Sequence, residues 1–362
     1  MAGPVYMKKE WFGSALPSNI TVPLPTAAEL VSLYKETNPH GYTIGVPYPP
    51  RTESSVFWIK YGSSVVWNEL AGQKMAHDGL RAVGSQVRAP AVYYGCHVAI
   101  PYKDDPDGWP AHLTYVVMEY VPGRTAAQRL QDAVNDDVMK DLIYSRIAFA
   151  LSELHRIPVR QDSRPAAVNG GRIRHELFDD NQASLHYRNI SELEQHLDLF
   201  LTMTNARYRI TNFAQEPMVF CYSDVWLDNF IIDDEDRITV VDFEESSILP
   251  SSFSKFILAG TQDKINRDIR HMVVIPKTEG VDNTSALIAL ARPMMMGSGS
   301  FAKAGRKILG YYTVDEDDIV DKVVTDTQGV PVCAFMEPLV PPDVPISASL
   351  PPPPPPLPPF EQ

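Results

Sequence analysis

Tyr222-Ser223-Asp224-Val225-Trp226-Leu227-Asp228-Asn229, then Phe230-Ile231-Ile232, a polar turn at 233–237 and Val240-Val241-Asp242-Phe243-Glu244, is the stretch whose reading decides the fold. Its apolar runs at 218–221, 230–232 and 238–241 are short and separated by polar turns, which predicts three strands. Asp224 and Asn229 then share one loop, and Asp242 follows a tight hairpin, so two carboxylates and an amide stand at strand ends. Magnesium takes a few hard oxygen ligands from such groups and leaves the rest of its octahedron to water and phosphate. Phosphoryl transfer needs positioned charge and a carboxylate to orient the attacking hydroxyl, with little covalent help from the protein. The residue types suit that chemistry. The competing reading is an acidic hairpin whose aspartates serve only the turns.

Working outward, residues 56–59 and 115–118 are rich in β-branched and aromatic side chains and read as strands. Between them, Ser63 and Ser64 are candidate caps for a helix through Val66, Leu70, Ala71 and Met75, which recur at helical spacing. Pro122-Gly123 breaks the pattern. Beyond it Ile143, Ile147, Leu151 and Leu154 line one helix face, with His155 and Arg156 near the negative end of the dipole. A sheet-rich part followed by a helix-rich part is expected.

The 362 residues suffice for one large domain or two lobes, and 44% hydrophobic with 21% charged content is ordinary for a soluble globular chain. A net charge of -13 argues against nucleic acid as a partner, because phosphate-backbone binding needs clustered Lys and Arg. Cys96, Cys221 and Cys333 are odd in number and far apart, which supplies neither a disulfide framework nor a metal knuckle. No apolar run follows Lys8 and Lys9, so neither a signal peptide nor a membrane span is expected, and the cytoplasm is the predicted location. The sequons at Asn19, Asn189 and Asn283 are read as chance matches. Near the C-terminus the acidic segment 315–318 precedes the unbroken proline run 351–356, a composition for extended polyproline II.

The spacing Asp-x4-Asn, then an Asp after an apolar strand, is also that of protein kinases, where the first Asp orients the hydroxyl and the other two residues hold metal. With the rest of the chain it resembles the aminoglycoside phosphotransferase and choline kinase family, in particular its fungal-type branch, over about residues 56–255. That family opens its catalytic loop with His-Gly-Asp, where this sequence has Tyr222-Ser223-Asp224, and its Ile-Asp-Trp-Glu motif corresponds to Val241-Asp242-Phe243-Glu244. Phe57-Trp58-Ile59-Lys60-Tyr61-Gly62 looks like its Val-Lys-Tyr-Gly strand, Glu69 stands at its helix glutamate, and Val117-Met118-Glu119-Tyr120-Val121-Pro122-Gly123 looks like its hinge. The segment from Asn169-Gly170-Gly171 to Phe178 is similar to its glycine-bearing insert.

The resemblance implies an α+β, two-lobed protein-kinase-like fold with a small antiparallel-sheet N-lobe and a larger helical C-lobe. Residues 1–40 would be an N-terminal extension with a helix, 41–120 the N-lobe, 121–312 the C-lobe and 313–362 an acidic, then Pro-rich disordered tail. It implies an ATP- and Mg2+-dependent kinase acting on the hydroxyl of a small molecule. Asp224 is then catalytic, Asn229 and Asp242 hold metal, Lys60 steadied by Glu69 meets the phosphates, and Glu119 and Val121 offer backbone groups to adenine. Glu244 is read as a surface pair, and Asp179, Asp180, Glu192 and Glu194 as a solvated face or helix caps. Tyr222 and Ser223 depart from the family loop, and 40–55 has only Gly41 and Gly45 for a phosphate cradle. These departures motivate an alternative, a catalytically weak kinase-like binding protein that recruits SH3, WW or profilin-type partners through its Pro-rich tail. The absence of an Ala-Pro-Glu segment argues against protein substrates.

Overall fold

The computed structural model describes residues 6–37, 44–49, 55–100, 111–305, 324–325 and 331–332. The Pro-rich tail, the acidic segment 315–318, Cys333 and most of the expected phosphate cradle lie outside them. The chain divides into a first unit, Met1–Asp132, Ala167–Asn169 and Trp226–Ser246, and a second, Ala133–Ala166, Gly170–Val225 and Ser247–Gln362.

In the first unit, β1 (Tyr6–Phe12), β2 (Ile44–Tyr48), β3 (Phe57–Gly62), β4 (Val92–Ile100) and β5 (Ala111–Glu119) form an antiparallel sheet in the order β1-β4-β5-β3-β2. Side chains alternate along a strand. On β3 the aromatic and branched positions Phe57, Ile59 and Tyr61 point into a core shared with Leu30, Val31 and Leu33 of helix α1 (Ala27–Thr37). Lys60 therefore faces the other side of the sheet, in register with Val116 of β5, which pairs in turn with Gly95 of β4. Helix α2 (Trp67–Ala82) packs there, so closely that a Cβ on Gly95 would come 2.1 Å from Leu70. The helix starts at Val66 with no side-chain cap, not at Ser63 or Ser64; the backbone at Val66 is extended, and the Glu69 N–H bonds to its carbonyl instead.

Strand β6 (Arg124–Thr125), helix α3 (Ala126–Asp132) and the hairpin of β9 (Phe230–Ile232) and β10 (Ile238–Val240) complete this unit, the strands in the order β10-β9-β6. The hairpin turn is closed by the Asp233 carboxylate, which accepts from the Glu235 and Arg237 N–H groups at 3.1 and 2.8 Å. Arg88 ties the hairpin to the segment after α2, its N–H donating to Ile238 and its carbonyl accepting from Val240.

The second unit is mainly helical. Helix α4 (Asp137–Leu154) begins at Asp136, whose carboxylate accepts from the Met139 N–H at 2.9 Å, and turns Ile143, Ile147, Leu151 and Leu154 inward as the periodicity predicts. Helix α5 (Ile190–Met203) is capped by Asn189, and packs with α6 (Ser251–Ala259) and α8 (Thr284–Gly305) around Leu197, Phe200, Phe213, Phe253, Leu287 and Leu290. Short strand β7 (Ala166–Ala167), the fully buried β8 (Met218–Tyr222) and β11 (Ser246–Pro250) form a sheet in the order β7-β11-β8, and α7 (Thr261–Ile265) follows α6. Glu216, buried just before β8, accepts from the Ser252 N–H and hydroxyl and from the Asn283 amide at 2.6 to 2.7 Å, which ties α6 to α8. Asn283 is thus packed inside and Asn189 is a helix cap, so two of the three sequons serve structural roles. The architecture is α+β, with the antiparallel sheet in the N-terminal unit as the sequence predicts.

Candidate active site

Lys60, on an interior strand, is drawn out of water by α2 and the hairpin. Its Nζ lies 2.9 Å from Glu69 Oε1 and 3.0 Å from Asp242 Oδ1, with only 16% of its side chain exposed. Two successive elements, β3 and α2, and a hairpin far along the chain therefore meet at one ammonium group. Burial works against the charge of Lys60, but Glu69 and Asp242 outweigh it and hold the ammonium above its ordinary value. Burial pushes the Glu69 carboxyl up to about 7; Lys60 draws it down, while Asp242 and Glu244 push it further up. Glu69 Oε2 is buried and accepts no hydrogen bond among the described residues.

Asp242 sits at φ 61, a left-handed conformation that costs a non-glycine residue energy and persists only where its surroundings enforce it. Those surroundings are visible. The Val241 N–H donates to the Asn229 carbonyl at 3.0 Å, which fixes the residue before Asp242 against the loop that carries Asn229. On the other side, Asn68 of α2, itself buried, donates to the carbonyls of Glu244 and Ser246 at 2.7 and 2.9 Å and accepts from the Asn169 N–H at 3.0 Å. Gly72, one turn further along α2, lets the turn approach: a Cβ there would lie 2.1 Å from Ser246 Oγ and 2.8 Å from the Phe243 carbonyl oxygen. Asn68 and Gly72 thus set Glu69 against Asp242.

The same closure brings in Glu244. Carboxylate oxygens of Glu69, Asp242 and Glu244 all lie within 4.8 Å of one another, and Glu244 is half-buried. Three hard oxygen donors, one of them buried with an unused oxygen, fit a hard divalent cation and not a soft, thiophilic one.

At the expected hinge, the Glu119 N–H donates to Ala91 at 2.8 Å and the Tyr120 N–H to Val56 at 3.0 Å, whereas no described residue accepts from the Val121 N–H. The Glu119 carboxylate is a structural clamp on Arg88 and on the Ala91 N–H. Asp224 belongs to the second unit, just beyond β8. There Ser223 is buried, and its carbonyl accepts from the Val225 N–H at 3.0 Å, which folds the chain sharply at Asp224. Of the acidic residues read as a solvated face or helix caps, Glu192 pairs with Arg188, and Glu194 accepts from the Phe213 N–H at 2.8 Å.

A family model described as the phosphotransferase enzyme family (APH) matches residues 69–251, half of the chain. The chain belongs to this family. The match runs from the α2 glutamate through the 222–244 stretch, and makes the protein a small-molecule kinase with the family's kinase-like α+β fold. Among solved structures, a thermostable mutant of aminoglycoside phosphotransferase APH(4)-Ia in apo form is 11% identical, over 76% of this chain and 91% of that one, with a TM-score of 0.40. Spectinomycin phosphotransferase APH(9)-Ia in complex with ADP and spectinomycin is 13% identical, over 78% of this phosphotransferase and 90% of that one, at 0.38. No curated protein matches this phosphotransferase. No helix among its described residues is long and apolar enough to cross a membrane.

Proposed function

We propose that this phosphotransferase moves the terminal phosphoryl group of ATP, with magnesium, to the hydroxyl of a small molecule. The observation that carries the reading is Lys60 held at 2.9 and 3.0 Å between Glu69 and Asp242, with Asp242 in an enforced left-handed conformation. Such a lysine stays charged and aimed, which is what binding a nucleotide's phosphate oxygens requires. Asn229 and Asp242 hold the metal, with Glu244 beside them. When bound, the ion neutralises phosphate oxygens and so lowers the cost of the charge that develops on transfer. The Val121 N–H and the backbone of Glu119 meet the adenine edge. Asp224 orients the acceptor hydroxyl and takes its proton.

The test combines binding and turnover. Millimolar ATP with magnesium should raise the thermal midpoint, by mass action on the folded state, and ATP should be consumed with some member of a panel of hydroxyl compounds. Asp224→Ala and Asp242→Ala should each lower that rate by on the order of a thousandfold, the scale of single preorganised charges. No midpoint shift together with no turnover, or unchanged turnover in both variants, refutes the reading.

A further inference from the structure

The loop that carries Asp224 has a charge problem. Residues 222–229 contain Asp224 and Asp228 and no Lys, Arg or His, yet the structure supplies a cation from elsewhere in the second unit. Lys264, on the short helix α7, pairs with Glu176 of the glycine-bearing insert, and its Nζ also lies 3.5 Å from the Ser223 carbonyl oxygen. Both members of the pair are largely withdrawn from water, at 17% and 19% side-chain exposure. The Ser223 oxygen is the acceptor of the three-residue turn centred on Asp224, closed by the Val225 N–H at 3.0 Å. One carbonyl therefore receives the turn's own bond and faces an ammonium group. Burial raises the Glu176 carboxyl, Lys264 lowers it and Asp224 raises it again, as expected of one set of charges felt in common.

We propose that Lys264, anchored by Glu176, is a positioning residue for Asp224, holding the Ser223–Asp224 peptide so that the carboxylate keeps its aim at the acceptor hydroxyl. The inference rests on Asp224 being the carboxylate that receives the acceptor's proton. A lysine delivered from α7 compensates for a loop that departs from its family at Tyr222-Ser223. It acts through the backbone, so its loss affects turnover and leaves nucleotide affinity alone.

The experiment uses the full chain and magnesium-ATP, with the same panel of hydroxyl compounds as acceptors and the rate of ATP consumption as readout. Lys264→Met should lower kcat by on the order of tenfold to a hundredfold, the cost of a misaimed group, with KM for ATP changed by less than about twofold and Lys264→Arg restoring most of the rate. The charge-neutral double variant Glu176→Gln/Lys264→Gln, which leaves no unpaired buried charge, should fold and still show the lowered kcat; it carries the test if Lys264→Met fails to fold. A kcat at the wild-type level in either, an equal loss in Lys264→Arg, or an effect confined to KM overturns the proposal. Asp224→Asn separates the two levels. If it keeps the wild-type rate, or if the wild-type chain consumes no ATP, the reading beneath the proposal fails and takes it along; if it abolishes turnover while Lys264→Met does not lower it, only the role of Lys264 is lost.

Discussion

Replacing Glu69 by glutamine keeps the shape of the side chain and removes a carboxyl that burial pushes up to about 7. With its carboxyl at about 7 in the folded protein and an ordinary value of 4.5, the native state holds a proton that the unfolded chain has released across that window. Stability from this group is therefore complete below pH 4.5 and is lost as pH rises through about 7. The slope is at most about 1.4 kcal/mol per pH unit, so the whole window is worth at most about 3.5 kcal/mol. The raw stability curve of the wild type will not display it, because other groups have the opposite sign. Burial depresses His196 to about 4 and His175 to about 3, and each removes stability as pH falls below 6.5. Both variants share those histidines, so the difference between them isolates Glu69. Urea unfolding of wild type and Glu69→Gln at pH 5, 6, 7 and 8, with divalent cations chelated, should show near-equal stability at pH 5. The glutamine variant should gain progressively, reaching about 2 to 3 kcal/mol in its favour at pH 8. A difference that is flat across the series, or that grows in favour of the wild type, refutes the picture of a buried carboxyl crowded by Asp242 and Glu244.

Two further substitutions probe how α2 sets that cluster. Asn68→Ala removes three hydrogen bonds from a buried position and leaves the Glu244, Ser246 and Asn169 backbone groups without them; a loss of about 3 kcal/mol in urea unfolding is expected, and less than about 1 would deny the clamp. Gly72→Ala sets two effects against each other. Alanine favours the helix by about 1 kcal/mol, but its Cβ would lie 2.8 Å from the Phe243 carbonyl oxygen, a backbone atom. Overpacking of about 1 to 3 kcal/mol should win, giving net destabilisation and slower turnover together, and Ser246→Ala added to it should recover only part of the loss. A Gly72→Ala protein more stable than the wild type would show that the turn has room to move.

The local elements were legible because their signals are local. The three apolar runs around 222–244 became β8, β9 and β10, and the periodicity at 143–154 became α4. Strand β1 carries no such signal, because its Tyr-Met-Lys-Lys-Glu-Trp-Phe sequence is mostly exposed at the sheet edge and burial imposes almost no alternation on it. Lys60, Glu69 and Asp242 could be named from motifs, whereas what holds them together could not. Asn68 reads as one more polar helix residue, Glu244 as one more surface acid, and Lys264 as one cation in a short polar helix. Each acquires its meaning from a partner far away in sequence, and spacing within a window carries no trace of such a contact.

The first unit is assembled from three stretches, and the last of them is the hairpin with Asp242. During synthesis, the sheet strands leave the ribosome long before the hairpin whose β9 pairs with β6 and the segment after it, 243–246, that packs against Asn68 and Gly72. Until Ser246 has emerged, Glu69 and Lys60 lack their third partner, and β6 has no strand beside it. A nascent chain stalled anywhere between Asp132 and Trp226 would therefore carry an incomplete N-terminal unit, the kind of exposed intermediate that chaperones recognise. Its folding is tied to completion of the segment that bears the chemistry, so the framework and the site mature in a single event.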